Sequence, residues 1–266
     1  MNQLEGRRIL VTGAGSGIGK AISLTLAERR AEVWLADRNV EAARTVAAHA
    51  VASGGKAHGL EVDVTQPASL AVTADEVFEA AGRLDVLVAN AGVSTMNRFL
   101  DVTEEEWDFN FSVNARGTFL TVQTFAKRMI TQGLIASSDV RGKIVVTASM
   151  ASRQAAPLLV PYSASKFAVV GLAQAVAKEL AEHKVTVNAI NPGFVKTSMQ
   201  EREVAWEAKL RDISVEDVLA DYVRQTPLGR LQTPEDVAKV VAFLAGPDSD
   251  FMTGEVIEVN GGAWVS

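Results

Sequence analysis

Short apolar runs alternate with longer segments of helical period almost from one end of the chain to the other. The clearest runs fall at 9–12, 32–36, 84–89, 143–147, 185–190 and 255–259, with a weaker one at 56–62. Most are near-continuous Val, Ile and Leu without polar alternation, the pattern of strands buried on both faces of a parallel sheet. The intervening segments carry helix-start signals. Thr65-Gln66-Pro67 puts a capping residue ahead of a helix-opening proline. Thr103 with Glu106 spells a capping box, and Thr233-Pro234-Glu235-Asp236 joins a cap and an early proline to acids facing the helix dipole. Repeated strand–helix alternation predicts an α/β fold built on one doubly wound parallel sheet of seven strands. No linker, low-complexity tract or internal repeat divides residues 1–266, so a single domain is expected.

Two stretches break the rhythm. Residues 133–142 form a polar loop before the fifth strand. Residues 193–230 are longer and mixed, with helical patches around Trp206 and Leu210. Ligands of doubly wound sheets bind beyond the carboxyl ends of the strands, so this second excursion is expected to be a substrate lid.

Composition narrows the function. Hydrophobic residues make up 48% of the chain, enough for a substantial core. A net charge of −6 argues against a nucleic-acid surface. Cysteine is absent, which removes disulfides, thiolate metal sites and cysteine nucleophiles. His49, His58 and His183 are scattered and none forms a ligand pair, so no metal site is expected. The opening Met1-Asn2-Gln3-Leu4-Glu5-Gly6 leads straight into a strand pattern, with neither a signal segment nor a membrane-spanning run, and a cytoplasmic protein is expected.

The first strand runs into Thr12-Gly13-Ala14-Gly15-Ser16-Gly17-Ile18-Gly19, and a helix begins at once. Glycines let the backbone turn tightly against a pyrophosphate, while the helix N-terminus presents free N–H groups and positive dipole to it. Gly13, Ser16, Gly17, Ile18 and Gly19 are therefore candidate cofactor contacts; a plain strand-to-helix turn is the alternative. The second strand ends at Asp37, where an acid accepts the ribose hydroxyls of adenosine. A carboxylate there repels a 2′-phosphate and favours NAD over NADP, although the neighbouring Arg38 has a guanidinium that suits such a phosphate.

Pro161-Tyr162-Ser163-Ala164-Ser165-Lys166 carries the chemistry. Tyr162 and Lys166 lie four apart, on one helix face. Free tyrosine, with a pKa of about 10, is a poor base at neutral pH. A nearby ammonium is expected to lower that pKa, as is the positive charge of an oxidised nicotinamide. Ser149, just past the fifth strand, is placed to hydrogen-bond the carbonyl or carbinol oxygen.

These residues resemble the short-chain dehydrogenase/reductase family, and the resemblance covers essentially the whole chain. The glycine loop is similar to the family's cofactor loop, Asp63-Val64 to its adenine-contacting pair, and Asn90-Ala91-Gly92 to its N-A-G segment. Asn114 matches the helix asparagine that holds a water in a proton relay to the lysine. Asn191-Pro192-Gly193 through Thr197 matches the stretch contacting the nicotinamide amide, which implies roles for Pro192, Val195 and Thr197. The resemblance implies a Rossmann-type fold with strand order 3-2-1-4-5-6-7. Ala89, Ala148 and Ser152 depart from common family residues and read as subfamily variation.

The helix after Tyr162 has small or apolar residues on several faces (Ala164, Ala168, Gly171, Ala173, Ala175), so a second subunit is expected to cover what the sheet does not. The resemblance points the same way, to homodimers or homotetramers. It is strongest toward polyol, sugar-alcohol and vicinal-diol dehydrogenases, and Ser94, Met96, Met150, Arg153, Gln154, Phe194 and Met199 are pocket candidates, with Trp206 a further one in the lid. A 3-oxoacyl thioester reductase using NADPH is the second enzyme reading, and a non-catalytic NAD(H)-sensing protein the reading from another class.

Overall fold

The apolar runs become strands that bury both faces, and their residues divide between two cores by simple alternation. In the computed structural model, which describes residues 4–265, the strands are β1 (Arg8–Thr12), β2 (Glu32–Asp37), β3 (Lys56–Glu61), β4 (Val86–Ala89), β5 (Gly142–Thr147), β6 (Val185–Pro192) and β7 (Val256–Val259). Met1–Gln3 and Ser266, which belong to the opening and the ending of the sequence, lie outside the described residues. Ile9, Val11, Val86, Val88 and Val145 point to one face; Leu10, Leu87, Ala89, Ile144 and Val146 point to the other. The period-2 geometry of a strand thus feeds two layers from sequences that show no polar alternation.

The first layer packs α1 (Gly17–Glu28), α2 (Val40–Ala52) and α9 (Pro234–Ala245) on the sheet through Ile22, Leu26, Val46 and Val241. The second packs α3 (Pro67–Ala81), α5 (Thr118–Met129) and α6 (Val160–Leu180) through Leu70, Val122, Phe125 and Val169. All strand pairs are parallel, in the order β3-β2-β1-β4-β5-β6-β7. That is the expected single-domain, doubly wound sheet. Its direction of winding reverses between β1 and β4, so a crevice opens beyond their carboxyl ends.

Both capping boxes form, Thr103 with Glu106 at α4 (Glu104–Asn110) and Thr233 with Asp236 at α9. Thr65 does not cap α3. Its hydroxyl donates to Asp63 Oδ1 at 2.7 Å, and Gln66 precedes Pro67 without a side-chain cap. Residues 193–230 hold two helices, α7 (Ser198–Arg211) and α8 (Val215–Arg224), around a small core of their own: Val204, Ala208, Val218, Tyr222 and Leu231. Arg211 bridges them by donating to Asp221 Oδ2 at 2.6 Å. The excursion leaves and rejoins the body at one place, where Val195 and Gln232 form an isolated parallel bridge. No described helix is long and apolar enough to cross a membrane.

Candidate active site

One cleft of about 470 Å³ runs along the carboxyl ends of the strands and under α7 and α8. At β1 the turn into α1 is shaped by glycine. Gly13 has φ +65°, and a Cβ on it would lie 2.8 Å from Ala91 Cα; a Cβ on Gly19 would lie 2.1 Å from the Gly13 carbonyl oxygen. The turn and the N-A-G segment therefore pack backbone to backbone. Asn90 locks them by donating from Nδ2 to the Thr12 carbonyl at 3.1 Å, while its own amide donates to Thr12 Oγ1. The N-cap of α1, Ser16, makes no side-chain cap, and no acid occupies the first turn. Ser16, Gly17, Ile18 and Gly19 of that turn line the cleft.

Asp37 ends β2 on the cleft wall. Gly15 N donates to its Oδ2 and Asn39 N to its Oδ1, each at 2.9 Å, which fixes the carboxylate and leaves lone pairs for a ligand. Arg38 is exposed on the same rim. Asp63 is held likewise by the Thr65 amide and hydroxyl, and Val64 lines the cleft beside it.

At β5 the chain enters a short 3-10 turn at Met150–Ser152 with Ser149 as its cap, its hydroxyl accepting from Ala151 N at 3.1 Å. Ser152 donates to the Ser149 carbonyl at 2.6 Å and to Asn191 Oδ1 at 3.1 Å, tying the Ser149 turn to β6, so a departure read as subfamily variation makes a structural link of its own. Tyr162 and Lys166 share the buried face of α6. Lys166 Nζ lies 5.7 Å from the Tyr162 ring centre and donates to the Thr147 carbonyl at 2.9 Å.

Burial dominates the electrostatics of this pair. It pushes the Tyr162 phenol above its usual value, the charge of Glu203 adds to that, and the Ser149 hydroxyl pulls weakly the other way. Burial lowers Lys166 to about 8. The expected depression of the phenol by Lys166 is therefore not produced by the chain alone. The ammonium is itself desolvated and releases its proton near pH 8, so it carries no charge by the pH at which the phenol would ionise.

Asn114 is buried in a π-helical stretch, Phe111–Gly117, behind the cleft rather than on it. Its Oδ1 accepts from Val93 N at 2.8 Å; its Nδ2 donates to the Val93 carbonyl and to Ser165 Oγ. Gly92 leaves room for both partners, since a Cβ there would sit 3.3 Å from Asn114 Oδ1 and from Lys166 Nζ. Such irregular turns within helices recur at functional sites.

The cleft gathers Gly13, Ser16, Gly17, Ile18, Gly19, Asp37, Asp63, Val64, Asn90, Ala91, Gly92, Ser149, Tyr162, Lys166, Pro192, Val195 and Thr197, every expected site residue except Asn114. Of the pocket candidates, Met150, Gln154, Phe194 and Met199 line it, whereas Ser94 and Met96 are buried and are not part of its lining. Arg153 turns away, stacked over Trp264 and 3.4 Å from Glu258, and Trp206 points to solvent. Glu203 in α7 also lines the cleft and was not foreseen, because nothing in the sequence separates it from its neighbours Glu201 and Glu207. Among the described residues no group of His, Asp and Glu is placed to hold a metal ion.

Residues 13–263 match a family model described as enoyl-(acyl carrier protein) reductase. The chain is 39% identical to an L-2,3-butanediol dehydrogenase of Corynebacterium glutamicum, over 95% of this chain and 96% of that one. It is 36% identical to the 3-oxoacyl-(acyl-carrier-protein) reductase FabG of Thermotoga maritima, covering 98% of each. A crystal structure of a short-chain type dehydrogenase/reductase from Mycobacterium marinum superposes with a TM-score of 0.89 at 35% identity, over 100% of this chain and 98% of that one.

Proposed function

Because the chain belongs to the short-chain dehydrogenase/reductase family and is thereby an oxidoreductase, we propose that it moves a hydride between NAD(H) and a secondary alcohol or ketone, with a small diol, polyol or sugar alcohol as substrate. One observation carries the reading. Ser149, Tyr162 and Lys166 converge beyond β5 in the same cleft whose other end, beyond β2, presents the fixed carboxylate of Asp37.

The residues present fit a dinucleotide. The uncapped first turn of α1, with Gly13, Ser16, Gly17, Ile18 and Gly19, suits a pyrophosphate; Asp37 suits the adenosine ribose hydroxyls and opposes a 2′-phosphate. Asp63 and Val64 flank the adenine side, Asn90, Ala91 and Gly92 the floor, and Pro192, Val195 and Thr197 the nicotinamide side. When bound, the nicotinamide supplies the hydride acceptor or donor, and its positive charge in the oxidised form favours the phenolate of Tyr162. Ser149 orients the carbinol oxygen. Tyr162 takes the hydroxyl proton as the alcohol is oxidised and returns it in the reverse direction. Lys166 holds the ribose and hands protons on, and Asn114, clamped by Val93 and Ser165, positions that relay.

Polar Gln154 and Glu203 beside apolar Met150, Phe194 and Met199 suit a small hydroxylated substrate, as does the likeness to a butanediol dehydrogenase. A second reading, 3-oxoacyl thioester reduction with NADPH, is favoured by Arg38 on the cleft rim and by the likeness to FabG. A pure NAD(H) sensor has no use for the Ser149/Tyr162/Lys166 set. We place the enzyme in the cytoplasm, acting as a homodimer or homotetramer. The test is a panel of diols, sugar alcohols and 3-oxoacyl thioesters, each assayed with both cofactors. Oxidation of diols or polyols with NAD is expected, with Asp37→Ala narrowing the preference over NADP. Turnover confined to thioesters with NADPH would replace this reading with the second.

A further inference from the structure

The lid side of the cleft carries an acid for which the reaction above has no use. Glu203 lies in α7 with its carboxyl largely buried and turned to the cleft. Among the described residues it forms no ion pair. Arg202 beside it donates to the Ser198 carbonyl at 3.2 Å and acts on Glu203 only through space. Glu207, one turn on, is already committed to Arg211 and to the Tyr222 hydroxyl, and its charge further disfavours the Glu203 carboxylate. The remaining neighbour is the Ser94 hydroxyl, itself buried and closing no hydrogen bond of good geometry.

A carboxyl so placed is costly to keep, because burial holds it above the usual carboxylate range and the Ser94 hydroxyl and the Arg202 charge offset that only in part. The packing of the lid does not call for it, since α7 is anchored by Val204 and Ala208. It lines the same cleft as Tyr162, near enough for its charge to act on the phenol. A hydroxyl matches a carboxyl in either protonation state, by donating to the charged form or by exchanging bonds with the neutral one. An acyl chain matches neither and would leave both Glu203 and Ser94 unsatisfied.

We propose that Glu203 is the specificity-determining residue of this site, hydrogen-bonding a second substrate hydroxyl next to the carbon being oxidised and so selecting diols and polyols over simple secondary alcohols. The proposal rests on the reading of the site as an alcohol dehydrogenase. It is tested with the whole protein and NAD, comparing 2,3-butanediol with 2-butanol. In Glu203→Leu the ratio of kcat/KM for diol over mono-alcohol should fall at least about tenfold, chiefly through the KM for the diol, the scale expected when a site loses its hydrogen bond to a substrate hydroxyl. Glu203→Gln should recover part of it. The melting temperature of the cofactor-free leucine variant should rise, which a residue kept for packing would not allow. Glu203→Met, close to isosteric, gives the same comparison should the leucine variant not fold. An unchanged ratio with wild-type turnover intact would overturn the role of Glu203 and leave the enzyme reading standing. A falling melting temperature with both substrates lost equally would make it structural. A wild-type protein that reduces 3-oxoacyl thioesters and oxidises no alcohol would overturn the enzyme reading and this proposal together.

Discussion

Tyr162 and Lys166 illustrate how burial and chemistry compete within one pair of side chains. With burial raising the phenol and no lowering from the lysine, Tyr162 in the cofactor-free protein should titrate above free tyrosine. The oxidised nicotinamide brings the missing positive charge. An ultraviolet difference titration of wild type against Tyr162→Phe is expected to show the phenol's midpoint falling when NAD is added; a midpoint unaffected by NAD would sink the electrostatic account. Tyr162→Phe itself should keep NAD binding and lose turnover by roughly two or more powers of ten. Lys166 allows a stability test. Its pKa is depressed from 10.5 to about 8, so between those values the unfolded chain holds a proton that the native state has released. Stability therefore rises with pH through that window, and the desolvated ammonium is a burden below pH 8. Lys166→Met should stabilise the cofactor-free protein at pH 7 by roughly 1–3 kcal/mol, after allowing for the lost bond to Thr147, and the advantage should shrink toward pH 10. Thermal melts at the two pH values decide it.

At the scale of elements, the glycine turn is the most demanding piece of backbone. Gly19→Ala would force its methyl to within 2.1 Å of the Gly13 carbonyl and 2.7 Å of Asn90 Nδ2. Relief requires the turn and the N-A-G segment to separate. We expect a loss of about 3 kcal/mol or more in stability, with cofactor affinity falling steeply, as measured by denaturant titration and fluorescence quenching. This turn was legible in the sequence because its chemistry is local: spacing alone identifies Gly13, Gly17 and Gly19. The buried strands were legible because both faces draw on the same apolar alphabet. β3, one of the two edge strands, gave a weaker signal because Lys56, His58 and Glu61 are exposed to solvent along it. Glu203 and Ser152 were not legible, because which way a helical glutamate points depends on how Val204 and Ala208 seat α7. Likewise, what Ser152 ties together depends on β6 lying beside β5. The lowering of Tyr162 by Lys166 failed for a similar reason. Spacing predicts a shared helix face but says nothing about how dry that face is.

The whole molecule leaves one face of α6 uncovered. Phe167, Ala168, Gly171 and Ala175 are exposed along it, and Phe167 keeps 46% of its surface in water. Exposed apolar stripes on rigid helices mark association surfaces. An even-numbered oligomer through this face is expected, and light scattering that shows a monomer at micromolar concentration would refute it. Gly171→Arg is the sharper probe. A Cβ at Gly171 meets nothing within 4 Å, so the change should spare the protomer and disrupt only its assembly.

The bridge between Val195 and Gln232 has a further implication. Lys196 N donates to the Gln232 carbonyl and Gln232 N to the Phe194 carbonyl, each at 2.9 Å, and Gly193 N donates to the Gln232 side chain at 3.0 Å. The two ends of the excursion are thus stitched together independently of what lies between them. Closing a loop whose ends are already pinned costs little more when the loop is lengthened, since the entropy grows only with the logarithm of its length. With its private core, the segment behaves as an interchangeable cassette. Beyond Val195 and Thr197 at its start, its length and its cleft-facing side chains can be rewritten without disturbing the sheet or the α6 face that holds Tyr162 and Lys166, so one frame can acquire new substrates by replacing a single stretch of chain.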